Sequence, residues 1–435
     1  AGLASPSKPD QLLIALEPEA ASIYIRKLRL RELAPEHQSQ RQKWLRSSAG
    51  NIAKSNSQVS EKIRHGTRYM VVDCGGGTVD ITVHEVEEGP GTLKELHKAA
   101  GGMHGSVNVD QEFEQLLVNI FGSTFIEEFK VKRPAGWVDL MIAFEARKRN
   151  ASPWKNNPLN VSLPFSFIDY YKKFTKNKTV EEAIRSYDDA DVKWSSQGMM
   201  RFTPEGMQRL FARTLASITS GVEEVLHSPS LQGISYLFVV GGFAQSALLQ
   251  TAMRKKFSND LRIIIPRDLG LSILKGAVQF GLDPSAVRVR RSRLTYGVGV
   301  LNKFQPGKHP EAKKVTKDNM DWCKDIFDTF VQSDQSVAVG DKVTRSYTPA
   351  KPSQQEIIIN IYCSDRENVR FITDAGVRKC GTLHIDVSDS QCGPSLQGRR
   401  ELQLTMQYGD TEIKVSALDV PTGKCVKSSI DFLNK

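Results

Sequence analysis

Apolar positions recur along this chain with two different periods. Over the first 282 residues, short apolar runs alternate with stripes spaced three and four apart. Tyr69 to Val72 and Val79 to Val83 read as buried strands separated by glycines, and Leu237 to Val240 reads as another. Phe113, Leu116, Leu117, Ile120 and Phe121 fall on one face of a helix opening at Asp110. Thr203-Pro204 supplies a capping residue and a first-turn proline for a second helix. Its buried stripe is Met207, Leu210, Phe211, Leu215, Ile218, Val222 and Val225. Further helices are expected from Ala247 onward, over Leu271 to Phe280, and over 12–33, whereas the polar stretch 47–60 is expected as a loop.

The period changes after Leu282. Arg288, Arg290, Arg291 and Arg293 give 283–293 the look of a basic linker. Beyond it, apolar residues alternate: Ile357, Ile359 and Ile361, then Leu383, Ile385 and Val387, then Leu402, Leu404 and Met406, then Ile413, Val415 and Ala417. Period two with turn residues between runs predicts an antiparallel β domain over 294–435, with Gly409-Asp410 as one hairpin turn.

Composition and charge narrow the class. Hydrophobic residues make up 40% of the 435, enough for a sizeable core, and the net charge of +10 comes from mixed signs. That balance reads as general surface basicity and not as a nucleic-acid groove. The run Arg26-Lys27-Leu28-Arg29-Leu30-Arg31 reads as one polar helix face. No apolar run approaches the ~18–20 residues that span a bilayer. The six cysteines include no Cys-x-x-Cys pair, so a reducing, cytoplasmic setting is expected.

Three segments carry candidate chemistry. Asp73-Cys74-Gly75-Gly76-Gly77-Thr78-Val79-Asp80 places three glycines between two strands. Bare backbone lets successive N–H groups converge on a phosphate, and a side chain there would block close approach. Asp73 and Asp80 then make sense as ligands of magnesium or of its waters; the competing reading is a glycine-rich hairpin with charged shoulders. Gly241-Gly242, where Leu237 to Val240 runs toward a helix, admits a flat ring or ribose against the backbone, or merely a tight turn. Glu145, Lys148, Arg149 and Ser152 share a face at i, i+3, i+4 and i+7 of an expected helix. They frame a purine and its ribose, or form a solvated charged face. His104 reads as a loop histidine.

Taken in order, these segments resemble the actin-like ATPases of the 70 kDa heat-shock family, nearest to its divergent heat shock 70 kDa protein 12 branch. Glu17-Pro18-Glu19-Ala20-Ala21 is similar to the family's connecting segment, Asp73 to Asp80 to its second phosphate loop, and Gly101 to Asp110 to the loop that closes over the phosphates. Glu145, Lys148, Arg149 and Ser152 fall on the adenine-clasping helix, Val240-Gly241-Gly242 matches the adenosine loop, and Asp268 precedes the last connecting helix. The stretch Tyr408 to Asp419 with Thr422-Gly423-Lys424 is similar to the last hairpin of the family's substrate domain.

The resemblance implies an α/β fold: part of an actin-like (ribonuclease H-like) nucleotide-binding domain over 1–282, followed by a β-sandwich. It implies ATP or ADP with Mg2+ as cofactors. Asp73, Asp80 and Glu17 take catalytic roles, with Asp73 and Asp80 holding Mg2+ through water. Gly75, Gly76, Gly77, Thr78, Gly105, Glu145, Lys148, Arg149, Ser152, Gly241, Gly242, Phe243 and Asp268 contact the nucleotide. The implied partners are protein clients or signalling proteins, with co-chaperones, and neither nucleic acid nor a membrane span.

Four departures qualify it. The family's first phosphate loop and catalytic lysine belong to an earlier lobe that these residues lack, so the sequence is expected to be the C-terminal part of a longer protein. Asn108 replaces a glycine of the closing loop, and Phe243 replaces a small polar residue. The linker is arginine-rich, without the family's leucine run, and no helical lid follows Lys435. A non-catalytic nucleotide-sensing scaffold, and an actin-fold sugar or metabolite kinase, are the other functions these motifs admit.

Overall fold

A computed structural model describes residues 12–26, 63, 65–88, 92–195, 197–266, 269–317, 319–349, 356–386, 400–408 and 411–431. The first elements are α1 (Glu17–Ile25), β1 (Arg68–Cys74), β2 (Val79–Val86), β3 (Leu93–Gly102), α2 (Val107–Phe121), α3 (Ser123–Lys132) and α4 (Pro134–Asn150). Next come β4 (Leu159–Ser162), α5 (Phe165–Phe174), α6 (Val180–Tyr187), β5 (Val192–Ser195), β6 (Met199–Phe202), α7 (Pro204–Leu226), β7 (Ile234–Val240), α8 (Ala247–Phe257), β8 (Arg262–Ile264) and α9 (Leu269–Leu282). Strands then dominate: β9 (Val287–Arg291), β10 (Thr295–Lys303), β11 (Lys314–Lys317), β12 (Met320–Val331), β13 (Ser336–Ala338) and β14 (Lys342–Tyr347). The last are β15 (Glu356–Ser364), β16 (Arg378–Asp386), β17 (Leu402–Gln407), β18 (Glu412–Asp419) and β19 (Cys425–Asp431).

The chain forms two units, one of residues 1–19, 83–99 and 277–435, the other of 20–82 and 100–276. The boundary crosses β2, β3 and α9, and so differs from the division at 282 and 293 that composition suggests.

In the unit of 20–82 and 100–276, β1 lies beside β7, and β7 beside β8, all parallel. Their near-continuous apolar sequences match strands covered on both faces. Tyr69 to Cys74 and Leu237 to Val240 are all buried. Helix α2 starts at Val107 and buries Val109, Phe113, Leu117, Ile120 and Phe121, so the expected stripe holds except that Leu116 is only half-buried. Phe113 stacks on Phe144 of α4 at 4.0 Å. Thr203 caps α7, its hydroxyl accepting from the Gly206 amide at 3.0 Å. Ser246 caps α8 in the same way. An aromatic cluster of Phe121, Phe125, Phe129, Phe167 and Tyr171 packs α2, α3 and α5 together. This region carries no motif, and its order rests on burial of large rings.

In the other unit, β3 pairs in parallel with β9, and β13 pairs antiparallel with the opposite edge of β9. The arginine-rich segment expected as a linker is therefore a sheet strand. Arg290 is 2% exposed and forms a bidentate pair with Glu19, Nε to Oε1 at 3.0 Å and Nη2 to Oε2 at 2.9 Å. A buried carboxylate compensates the guanidinium, which lets a basic stretch enter a core. The Arg291 amide donates to Glu95 at 2.7 Å. Two antiparallel sheets follow in the same unit, ordered β11-β12-β10-β15-β16 and β14-β17-β18-β19. Both feed one core in which Ile357, Ile361, Leu383, Ile385, Leu404, Met406, Val415 and Ala417 are buried. Gly409, Asp410 and Val387 lie outside the described residues, as does the loop expected at 47–60. The helix expected over 12–33 is observed as α1, and residues 12–16 precede it without regular structure.

Candidate nucleotide site

Strands β1 and β7 run parallel, and their last paired residues are Asp73 and Val240. Each strand leads into a glycine-rich turn just beyond, through Gly75 to Thr78 and through Gly241-Gly242. The carboxyl ends of parallel strands are where α/β sheets hold ligands. Gly241 has φ +88°, and a Cβ there would collide with the Asp73 carboxylate and the Cys74 carbonyl. Glycine is thus required where the second turn rests against the first.

The glycine loop is held from below. The Gly75 amide donates to the Thr78 carbonyl at 2.9 Å and closes the turn. The carbonyls of Gly75, Gly76 and Gly77 accept from the amides of Ser106, Val107 and Gly105 at 3.1, 2.9 and 3.1 Å. A Cβ on Gly105 would strike the Gly76 carbonyl. The segment expected to close over the phosphates is therefore bonded to the carbonyls of the glycine loop. The amides of Gly75 and Gly105 are spent on this arrangement, so neither is a phosphate donor. Asn108, where the family has glycine, donates from Nδ2 to the Met103 carbonyl at 2.8 Å and ties the same loop. His104 lies in this loop.

The amides of Gly76, Gly77 and Thr78 have no protein acceptor among the described residues. Gly76 and Gly77 are exposed, and a Cβ on either would meet no atom within 4 Å. Three unspent donors on an exposed, sterically open turn fit a polyanion. Asp73 is buried at the base of the turn, and half-buried Asp80 accepts from the Thr78 hydroxyl at 3.0 Å. Both are hard oxygen donors of the kind Mg2+ prefers, directly or through water.

Helix α4 brings Glu145, Lys148 and Arg149 together. Lys148 is 6% exposed and contacts both Asp110 oxygens at 2.8 and 2.9 Å and Glu145 at 2.6 Å. Its ammonium also reaches the Ser106 carbonyl at 3.5 Å, which links α4 to the loop under the glycines. Exposed Arg149 pairs with Glu145 at 2.7 Å. Burial raises the Asp110 carboxyl above its ordinary range, against the pull of Lys148. Burial pushes Glu145 the same way, but its bonds to Lys148 and Arg149 win and hold it low. Asp110 is the member that pattern reading missed as a site residue. Its only signal is an acid in the first turn of α2.

Three of the expected residues stand in settings of their own. Helix α4 ends at Asn150, so Ser152 lies beyond it and does not continue the helical face. The Phe243 ring is buried against Phe211 of α7, with centroids 6.2 Å apart. Glu17 is exposed at the start of α1 in the other unit, while its neighbour Glu19 is the carboxylate taken inside by Arg290. Asp268 lies outside the described residues.

Comparison with known proteins settles the lineage. The chain is 54% identical over 456 residues to heat shock 70 kDa protein 12A of Homo sapiens, an alignment covering all of this chain and 67% of that protein. It is 51% identical over 461 residues to heat shock 70 kDa protein 12B of Homo sapiens, with the same coverage. The chain belongs to the 70 kDa heat-shock family, in its heat shock 70 kDa protein 12 branch. A heat shock 70 kDa protein of Ajellomyces capsulatus is 24% identical over 238 residues, half of this chain. No family model matches. The mixed α/β architecture fits the actin-like fold of this family. No helix among the described residues is long and apolar enough to cross a membrane.

Proposed function

We propose that the chain binds ATP or ADP with Mg2+ at the glycine turn, and that the two-sheet region, a β-sandwich, carries a protein-binding surface coupled to that nucleotide. The observation that carries the reading is the set of three unspent amides, Gly76, Gly77 and Thr78, beside Asp73 and Gly241 at the ends of β1 and β7. In this reading the amides orient the phosphates, while Asp73 and Asp80 hold the waters of Mg2+. The metal, when bound, offsets phosphate charge. In the same reading Glu145 and Arg149 contact the base and ribose, and Lys148 holds them through Asp110 and Glu145. Protein clients or signalling proteins are the partners, with co-chaperones.

Calorimetric titration with Mg-ATP, Mg-ADP and ATP in chelator tests binding. The reading expects binding that weakens when Mg2+ is withdrawn, and no detectable heat with either nucleotide would overturn it. A phosphate-release assay then separates a turning-over ATPase from a nucleotide-sensing scaffold, which binds without release.

A further inference from the structure

Strands β15 and β16 pair antiparallel with one irregularity. Ile361 lies opposite Gly381 while Tyr362 lies opposite Lys379, so Cys380 is an extra residue in β16. A bulge of this kind alters the side-chain alternation. Leu383 and Ile385 point into the core, and a Cβ at Gly381 would touch Ile361 and Ile430 side chains at 3.5 Å. Strict alternation would turn Cys380 outward. The extra residue instead brings it against the same core that contains Cys363 of β15. Cys363 is fully buried and Cys380 half-buried; both are free thiols, on adjacent strands and against one core. Cys380 also donates to the Ile361 carbonyl at 3.6 Å. The strand carrying Cys380 is the last of its sheet, so its outer edge has no ladder partner among the described residues.

We propose that Cys363 and Cys380 form a redox-modification site, a cross-strand dithiol that a hydroperoxide converts to a reversible disulfide. The geometry supplies both requirements, a resolving thiol on the neighbouring strand against the same core and partial exposure of that thiol on the last strand of its sheet. Cys380, with help from Arg378, holds the Cys363 thiol down to about 7 despite burial. The Cys363 thiolate attacks the outer oxygen of the hydroperoxide. The O–O bond breaks, the leaving oxygen takes the proton that Cys363 has released, and a sulfenic acid remains. The Cys380 sulfur attacks that sulfur, and its proton leaves with the displaced hydroxide as water. Two thiols and one hydroperoxide thus give one disulfide, one alcohol or water from the peroxide, and one further water. The sulfurs lose two electrons and the peroxide gains them.

The remaining described cysteines serve as internal controls. Cys74 and Cys323 are buried singly, and burial raises both thiols. Cys425 is exposed without a neighbouring thiol. The reduced full chain is treated with hydrogen peroxide, alkylated, digested without reductant and mapped by mass. A peptide linking Cys363 to Cys380, lighter by two hydrogens and released by dithiothreitol, is expected about tenfold faster than oxidation of Cys425. Cys380→Ser should abolish the link and Cys425→Ser should leave it intact. Oxidation of either thiol singly, a link from either to another cysteine, or a link forming no faster than Cys425 reacts would each overturn the proposal.

Discussion

Gly76→Val separates a ligand-built glycine from a fold-built one. At Gly76 an added Cβ meets no protein atom within 4 Å, and the position is not among those with positive φ. The fold therefore tolerates valine there, and the melting temperature should stay within the range of a neutral surface change. The added methyls would instead occupy the space above the amides of Gly76, Gly77 and Thr78. Each amide bond to a charged phosphate is worth about 1.5–3 kcal/mol, so loss of two amounts to ~3–6 kcal/mol. At about 1.4 kcal/mol per decade, Mg-ATP affinity should fall by roughly two to four orders of magnitude. Gly105→Ala is the counterpart, because its Cβ would strike the Gly76 carbonyl. It should destabilise the protein by about 1–3 kcal/mol before any nucleotide is added. Calorimetric titration and thermal melts on both variants read the two effects apart. Unchanged nucleotide affinity in a normally folded Gly76→Val protein would refute the site. A large loss of stability in that variant would refute the claim that this glycine is free of structural duty.

Arg290→Met should destabilise by about 3–5 kcal/mol in denaturant melts, because Glu19 is left buried without its partner. Glu17→Gln, at an exposed position, should leave the melt unchanged. Lys148→Met should cost about 2–4 kcal/mol, near the low end for a buried pair because Asp110 keeps partial solvent access, and a double-mutant cycle with Asp110→Asn should show coupling. Stability should also depend on pH through two buried groups of opposite sign. Burial raises Glu95 to about 8 from 4.5, so the folded state holds a proton that the unfolded state has lost, and stability drains away as pH rises from about 4.5 to 8. Burial lowers His84 to about 4 from 6.5, so the unfolded state binds the extra proton, and stability drains away as pH falls from about 6.5 to 4. Glu95→Gln should flatten the alkaline limb of urea midpoints measured across pH, and a limb that survives the change would refute the assignment.

Much of the candidate site was legible along the chain. The glycines at 75–77 and 241–242, the bracketing Asp73 and Asp80, and the charged row on α4 stand in the sequence as motifs, because close backbone approach and ion pairing leave residue-type signatures at fixed spacing. Alternation likewise announced the strands carrying Ile357 to Ile361 and Leu402 to Met406. Helix α5 and the aromatic cluster around Phe125 left no such mark, since rings that pack across helices follow no local period.

The sequence by itself determined which backbone stretches are bare enough for a phosphate and which strands hide one face. Only the tertiary structure decided which amides remain unspent, since the Gly75 amide closes the turn on the Thr78 carbonyl while Gly105, Ser106 and Val107, distant in sequence, fix the loop through its carbonyls. It also decided that Arg290 lies in a core and that Cys380 packs against the core containing Cys363. Those outcomes depend on which distant carboxylate is at hand to neutralise a cation, and on one extra residue changing the face of a strand. Neither is encoded in the local pattern around the residue concerned.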